Sequence, residues 1–111
     1  MDPALYLGES EQLILLAILR LGDNAYGVTI RAELMERARR AVAPGALYTS
    51  LERLETKGLL TSRMGDPTPQ RGGRAKRYVT VNAAGIEALR HALQAYERLL
   101  DGLDVLRGAH V

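Results

Sequence analysis

The sequence predicts a mainly α fold with one small β-hairpin, an α+β chain organised as a single unit. Apolar residues recur at helical spacing in four segments, each bounded by glycine, proline, asparagine or aspartate. Two short strand-like runs flank one loop punctuated by prolines and glycines. A length of 111 residues leaves room for one domain.

The first helix covers Ser10 to Leu21, apolar except at Ser10, Glu11, Gln12 and Arg20, and Gly22-Asp23-Asn24 stops it. A short helix that is apolar all round must be covered on every side, so a second subunit is expected against it. The second helix, about Tyr26 to Ala38, aligns Tyr26, Ile30 and Leu34 as a core stripe and turns Arg31, Glu33, Glu36 and Arg37 outward. Arg39 to Ala43 is a short connection with room for a brief strand. Pro44 suits the first turn of a helix and Gly58 its end, which sets a third helix at about Pro44 to Lys57.

Leu59 to Met64 and Lys76 to Val81 read as strands joined by the Gly65–Ala75 loop. Asn82 then caps a last helix expected to reach about Leu106, roughly 25 residues or ~37 Å. Within it Ile86, Leu89, Leu93, Tyr96, Leu100 and Leu103 alternate spacings of three and four, an a/d seam. With Leu13 and Leu16 of the first helix, that seam is the expected homodimer interface.

Composition narrows the functional classes. Hydrophobic residues at 47% and charged residues at 25% match ordinary globular domains. Cysteine is absent, so disulfides and thiolate zinc sites are excluded. The longest apolar run, Leu13 to Leu19, is too short for a membrane span, and a cytoplasmic location without membrane partners is expected. Only His91 and His110 could serve as a base or soft metal ligand, which supports neither an enzyme nor a metal site. No cofactor is implied.

The net charge of +2 hides a segregation. Arg37 to Arg77 contains ten bases and three acids, a local +7, while the rest holds five bases and ten acids, or −5. A basic middle between acidic ends suits a face that meets a polyanion, with double-stranded DNA the leading candidate.

Three helices followed by a basic hairpin is the order of a winged helix-turn-helix, whose third helix enters the major groove. On that helix Leu47, Leu51 and Leu54 share the core side. Gly45, Thr49, Glu52, Arg53 and Thr56 lie opposite, with Ala46 and Tyr48 flanking. Small residues permit close approach, while Thr49 and Arg53 reach toward base edges or phosphates. Glu52 more often repels phosphate or pairs with a neighbouring base, so it is left out of the site. On the wing Arg71, Arg74, Lys76 and Arg77 surround Gly72-Gly73, giving a basic tip able to approach a groove. The expected organisation is 1–81 for DNA binding, 82–107 as a dimerisation helix of the same unit, and 108–111 as a tail.

Tyr26-Gly27-Val28 with Ile30, Pro44-Gly45-Ala46-Leu47-Tyr48 with Leu51, Arg53-Leu54-Glu55, Gly58-Leu59-Leu60, Gly73-Arg74, Lys76-Arg77-Tyr78 and Gly85 resemble the PadR family of winged-helix transcriptional regulators. The resemblance spans about residues 5 to 105 and is closest to the compact branch with one C-terminal helix. It implies a homodimeric repressor on a palindromic operator, released by a small aromatic effector. It also implies that Tyr48 touches the DNA backbone and Gly45 lets the helix start approach it. Tyr26 is expected as a core tyrosine. Ala43 stands where the family often has a Ser cap, a loss of about 1 kcal/mol, and Ala46 and Thr49 replace a common Thr and Pro, so the resemblance does not carry over an operator sequence. The alternative is a winged-helix module that docks an acidic protein through its wing, which should expose aromatic or aliphatic residues on the third helix.

Overall fold

The computed structural model describes residues 6–65 and 75–107. Its helices are α1 (Glu9–Leu21), α2 (Gly27–Ala38), α3 (Pro44–Thr56), α4 (Ala83–Leu100) and α5 (Asp104–Arg107). Strands β1 (Leu60–Met64) and β2 (Arg77–Val81) lie between α3 and α4. This is the winged helix-turn-helix, α+β architecture that the sequence predicts. Among the described residues no helix is long and apolar enough to cross a membrane.

Local chemistry sets most boundaries. The Gly8 N–H donates to Glu11 Oε1 at 3.1 Å, which closes the first turn of α1. Tyr26 precedes α2 rather than opening it, in extended backbone, and its N–H donates to Thr29 Oγ1 at 3.0 Å. Arg39 ends α2 in the left-handed region, φ 55°, a conformation that glycine adopts at lower cost. Pro44 opens α3, as expected, and the Asn82 side chain accepts from the Gly85 N–H at 2.9 Å to cap α4.

The core fills between the helices and one face of the hairpin. Ile14, Leu15 and Ile18 of α1 meet Ile30 and Leu34 of α2, Leu47 and Leu54 of α3, and Leu59, Val79 and Leu89 behind them. β1 and β2 pair antiparallel from Leu60↔Val81 to Met64↔Arg77. Gly85 is required where α4 meets this layer, because a Cβ there would lie 2.3 Å from the Leu59 carbonyl oxygen.

Besides the start of α2, two expectations change. The Arg39 to Ala43 connection forms no strand; instead Ala25, fully buried before α2, accepts from the Val79 N–H at 2.9 Å and supports the far side of β2. The last helix does not run unbroken to Leu106. It ends at Leu100, because Asp101 turns to ψ 127° and Gly102 takes φ +80°, after which α5 is one short turn.

This break divides the heptad seam. Leu89 is 3% exposed in its own core, while Leu13, Leu16 and Leu93 are half-buried against that core. Ile86, Tyr96 and Leu100 are exposed on α4, and Leu103 is exposed beyond the break. Leu19, Leu99, Val105 and Leu106 extend the exposed apolar surface of this region.

Candidate nucleic-acid interface

The leucine stripe of α3 decides what its other side can do. Leu47, Leu51 and Leu54 are buried, so the helix cannot rotate without losing its seat in the core. Gly45, Ala46, Thr49, Glu52, Arg53 and Thr56 are therefore all exposed, and Tyr48 stands 57% exposed beside them. The Arg31 Nε donates to the Val42 carbonyl at 2.7 Å, which pins the connection leading into α3.

Thr49 and Arg53, the two residues expected to reach a groove, are placed differently. Thr49 donates its hydroxyl back to the Gly45 carbonyl at 3.0 Å, leaving its oxygen lone pairs facing outward as acceptors. Arg53 has no carboxylate partner among the described residues, so its fork of donors faces solvent. At Gly45 a Cβ would meet nothing within 4 Å, so the protein's own packing does not require glycine there.

The wing divides further. Arg71, Gly73 and Arg74 lie outside the described residues. Lys76 is exposed, with its ammonium 4.6 Å from the centre of the Tyr26 ring and 3.4 Å from its hydroxyl. Tyr26 is half-buried and meets Tyr78 edge-on at 5.4 Å, and Arg63 covers the Tyr78 ring at 4.5 Å. Lys76 thus sits over an aromatic pair at the root of the wing.

Arg77 points back onto α3. Its Nη1 donates to Glu52 Oε1 at 2.8 Å, its Nη2 contacts Glu55, and its guanidinium lies 5.5 Å from the Tyr48 ring. Hydrogen bonding to Glu52, then to Tyr48, raises its pKa above the ordinary arginine value, with Glu55 adding to the effect against the cost of burial. Glu52 is therefore paired with a neighbouring base, one of the two roles expected of it. The recruitment of Glu55 is not evident from the sequence, although two glutamates three apart on the helix nearest a basic wing were its signal.

Other bases of the +7 segment are engaged as well. Arg37 pairs with Glu33 at 3.0 Å, Arg40 with Glu9 at 2.6 Å, and Lys57 with Glu11 at 3.0 Å. Arg53, Arg63 and Lys76 are exposed cations without a carboxylate partner on the α3 and wing-root surface among the described residues. Between α2, α3 and β2 runs a cleft of about 430 Å³ lined by Tyr26, Val28, Arg31, Tyr48, Lys76 and Arg77. His91 is exposed on α4, and no group of potential metal ligands occurs among the described residues.

Comparison with known proteins agrees with this geometry. A transcriptional regulator from Clostridium thermocellum superposes with a TM-score of 0.68 at 21% identity, over 85% of this chain and 88% of that one. A PadR family transcriptional regulator from Eggerthella lenta gives 0.66 at 26% identity, over 87% and 82%. Bacillus subtilis PadR, solved in complex with operator DNA, gives 0.61 at 23% identity, over 77% of this chain and 48% of that longer one. No curated sequence matches significantly. The profile of the transcriptional regulator PadR-like family matches residues 15–91, from the middle of α1 into α4, and the chain belongs to that family of transcriptional regulators.

Proposed function

We propose that this chain is a sequence-specific regulator that binds double-stranded DNA as a homodimer, α3 in the major groove and the wing beside it. The observation that carries the proposal is the outward face of α3. It joins small residues, a tyrosine and an arginine without a carboxylate partner among the described residues, and it exposes no aliphatic side chain larger than alanine. Such a face fits closely against a groove, and of the large hydrophobic residues that a protein-docking surface would show it exposes Tyr48 alone. The DNA complex of Bacillus subtilis PadR supports the same use of the fold.

In this proposal Gly45 and Ala46 allow close approach, Tyr48 meets the backbone, and Thr49 and Arg53 face bases. Arg71, Gly73, Arg74 and Lys76 follow the adjacent phosphates or minor groove. Two copies joined through the exposed Ile86, Tyr96 and Leu100 stripe and through α1 would place two α3 helices on a palindrome. Repression relieved by a small aromatic ligand is the regulatory form we favour, because Tyr6 and Tyr96 line a cleft of about 350 Å³ beside that stripe.

Gel shifts over a salt series with the promoter of the chain's own gene test the proposal. Arg53→Ala should cost about 1–3 kcal/mol on the operator and blur sequence preference. Equal loss on random DNA would reassign Arg53 to phosphate. Neutralising Arg71 and Arg74 together should flatten the slope of log K against log salt by roughly 2. Leu93→Asp should yield monomer or unfolded protein, since a carboxylate in an apolar seam has no partner; a stable dimer of that variant by light scattering would count against the interface.

A further inference from the structure

We propose that Arg77 is a positioning residue of the DNA-binding surface, which neutralises the recognition helix's own carboxylates and ties the wing to that helix without itself contacting phosphate. The proposal rests on the DNA-binding reading above and assigns one of its bases to a different task. Arg77 opens β2 opposite Met64, the last residue of β1, and its side chain reaches α3 from there. There it spans Glu52 and Glu55, 25 and 22 residues away in the chain, with one nitrogen for each carboxylate.

The burial pattern fits this role. The Arg77 side chain is 22% exposed, against 57% for Glu52, so the cation is the enclosed partner and the Glu52 carboxylate the outward one. An exposed carboxylate on a groove-side helix would repel phosphates, and like charges across an interface are costly. Arg77 cancels that repulsion from behind. Its guanidinium also faces the Tyr48 ring at 5.5 Å, so the same group restricts the tyrosine proposed to meet the DNA backbone. A lysine could supply the charge but not the fork that holds two carboxylates beside an aromatic ring.

The test is a salt series with Arg77→Gln, Glu52→Gln and the double variant, using the chain's own promoter duplex and a mixed-sequence 40-base-pair duplex as a non-specific probe. Thermal melts should show that each variant folds. Arg77→Gln should weaken binding about tenfold while leaving the slope of log K against log salt unchanged, since no phosphate contact is lost. Adding Glu52→Gln to it should recover most of the loss.

A slope reduced by about one unit, with no recovery in the double variant, would make Arg77 a phosphate contact and overturn the inference while the DNA-binding reading stands. A wild-type chain that binds neither duplex overturns both. Where Arg77→Gln does not fold, Arg77→Lys serves instead. Weakened binding at unchanged slope supports the positioning role, and full affinity overturns it, because charge alone would then suffice.

Discussion

Two clusters of opposite charge hold α3, one at its C-terminal end and one along its outward side, and they differ chiefly in burial. At the end, Lys57 donates to both oxygens of Glu11 at 3.1 and 3.0 Å and to the Tyr6 carbonyl at 3.2 Å. Glu11, only 7% exposed, is the one buried charged residue among those described. On the outward side Arg77 meets Glu52 and Glu55, whose side chains are 57% and 37% exposed. The same chemistry therefore performs two tasks. Where water is excluded, losing one partner strands a charge and the pair is a structural constraint. Where water has access, the pair adds little to stability and shapes the charge that a ligand meets.

Four variants sharpen or break that comparison. Glu11→Ala should be the most damaging, with a loss of about 3 kcal/mol in urea denaturation, because the Lys57 ammonium loses its carboxylate, keeping the Tyr6 carbonyl, and the Gly8 N–H loses its side-chain acceptor. A loss below about 1 kcal/mol would place this cluster in the surface class. Replacing both partners, Glu11→Leu with Lys57→Met, should recover much of the deficit and leave about 1 kcal/mol, since two apolar groups strand no charge.

Arg39→Gly supplies a ruler free of charge pairing. Glycine occupies the left-handed end of α2 without strain, so stability should rise by about 0.7 kcal/mol. A fall in Tm would indicate that Arg39 makes a compensating contact. The smallest effect belongs to Glu52→Gln, at about 0.3 kcal/mol, and that difference should shrink further in 1 M salt. A Glu52 effect as large as that of Glu11 would remove the distinction between the clusters.

The elements were legible where one residue fixes one boundary. Pro44 opened α3, Asn82 capped α4, and the 47, 51, 54 leucine stripe decided which side of α3 faces out. The end of α4 is less legible, because Leu100 and Leu103 continue the three-four spacing past Gly102, where the helix breaks. The Ala25 contact with β2 left no pattern, because a single residue in extended backbone has no periodicity to detect. The ion pairs were hidden for a related reason. Glu11 and Lys57 lie 46 residues apart, and a charge pattern read along the chain sees totals rather than partners. The basic middle segment thus overstated the charge on offer, since Arg37, Arg40, Lys57 and Arg77 all meet carboxylates within the fold.

The hydrogen bond from Val79 to Ala25 also bears on self-association. A two-stranded ribbon has two open edges, and each can template a strand from another molecule. Ala25 blocks the β2 side at its centre, so recruitment must occur along β1. That strand is five residues long, and after Leu60 it presents Thr61, Ser62, Arg63 and Met64 to solvent, with Met64 the one large hydrophobic among them. Short length, hydroxyls and a charge are the features by which natural sheets discourage edge-to-edge growth. The hairpin can therefore project from the domain while remaining a poor seed for aggregation.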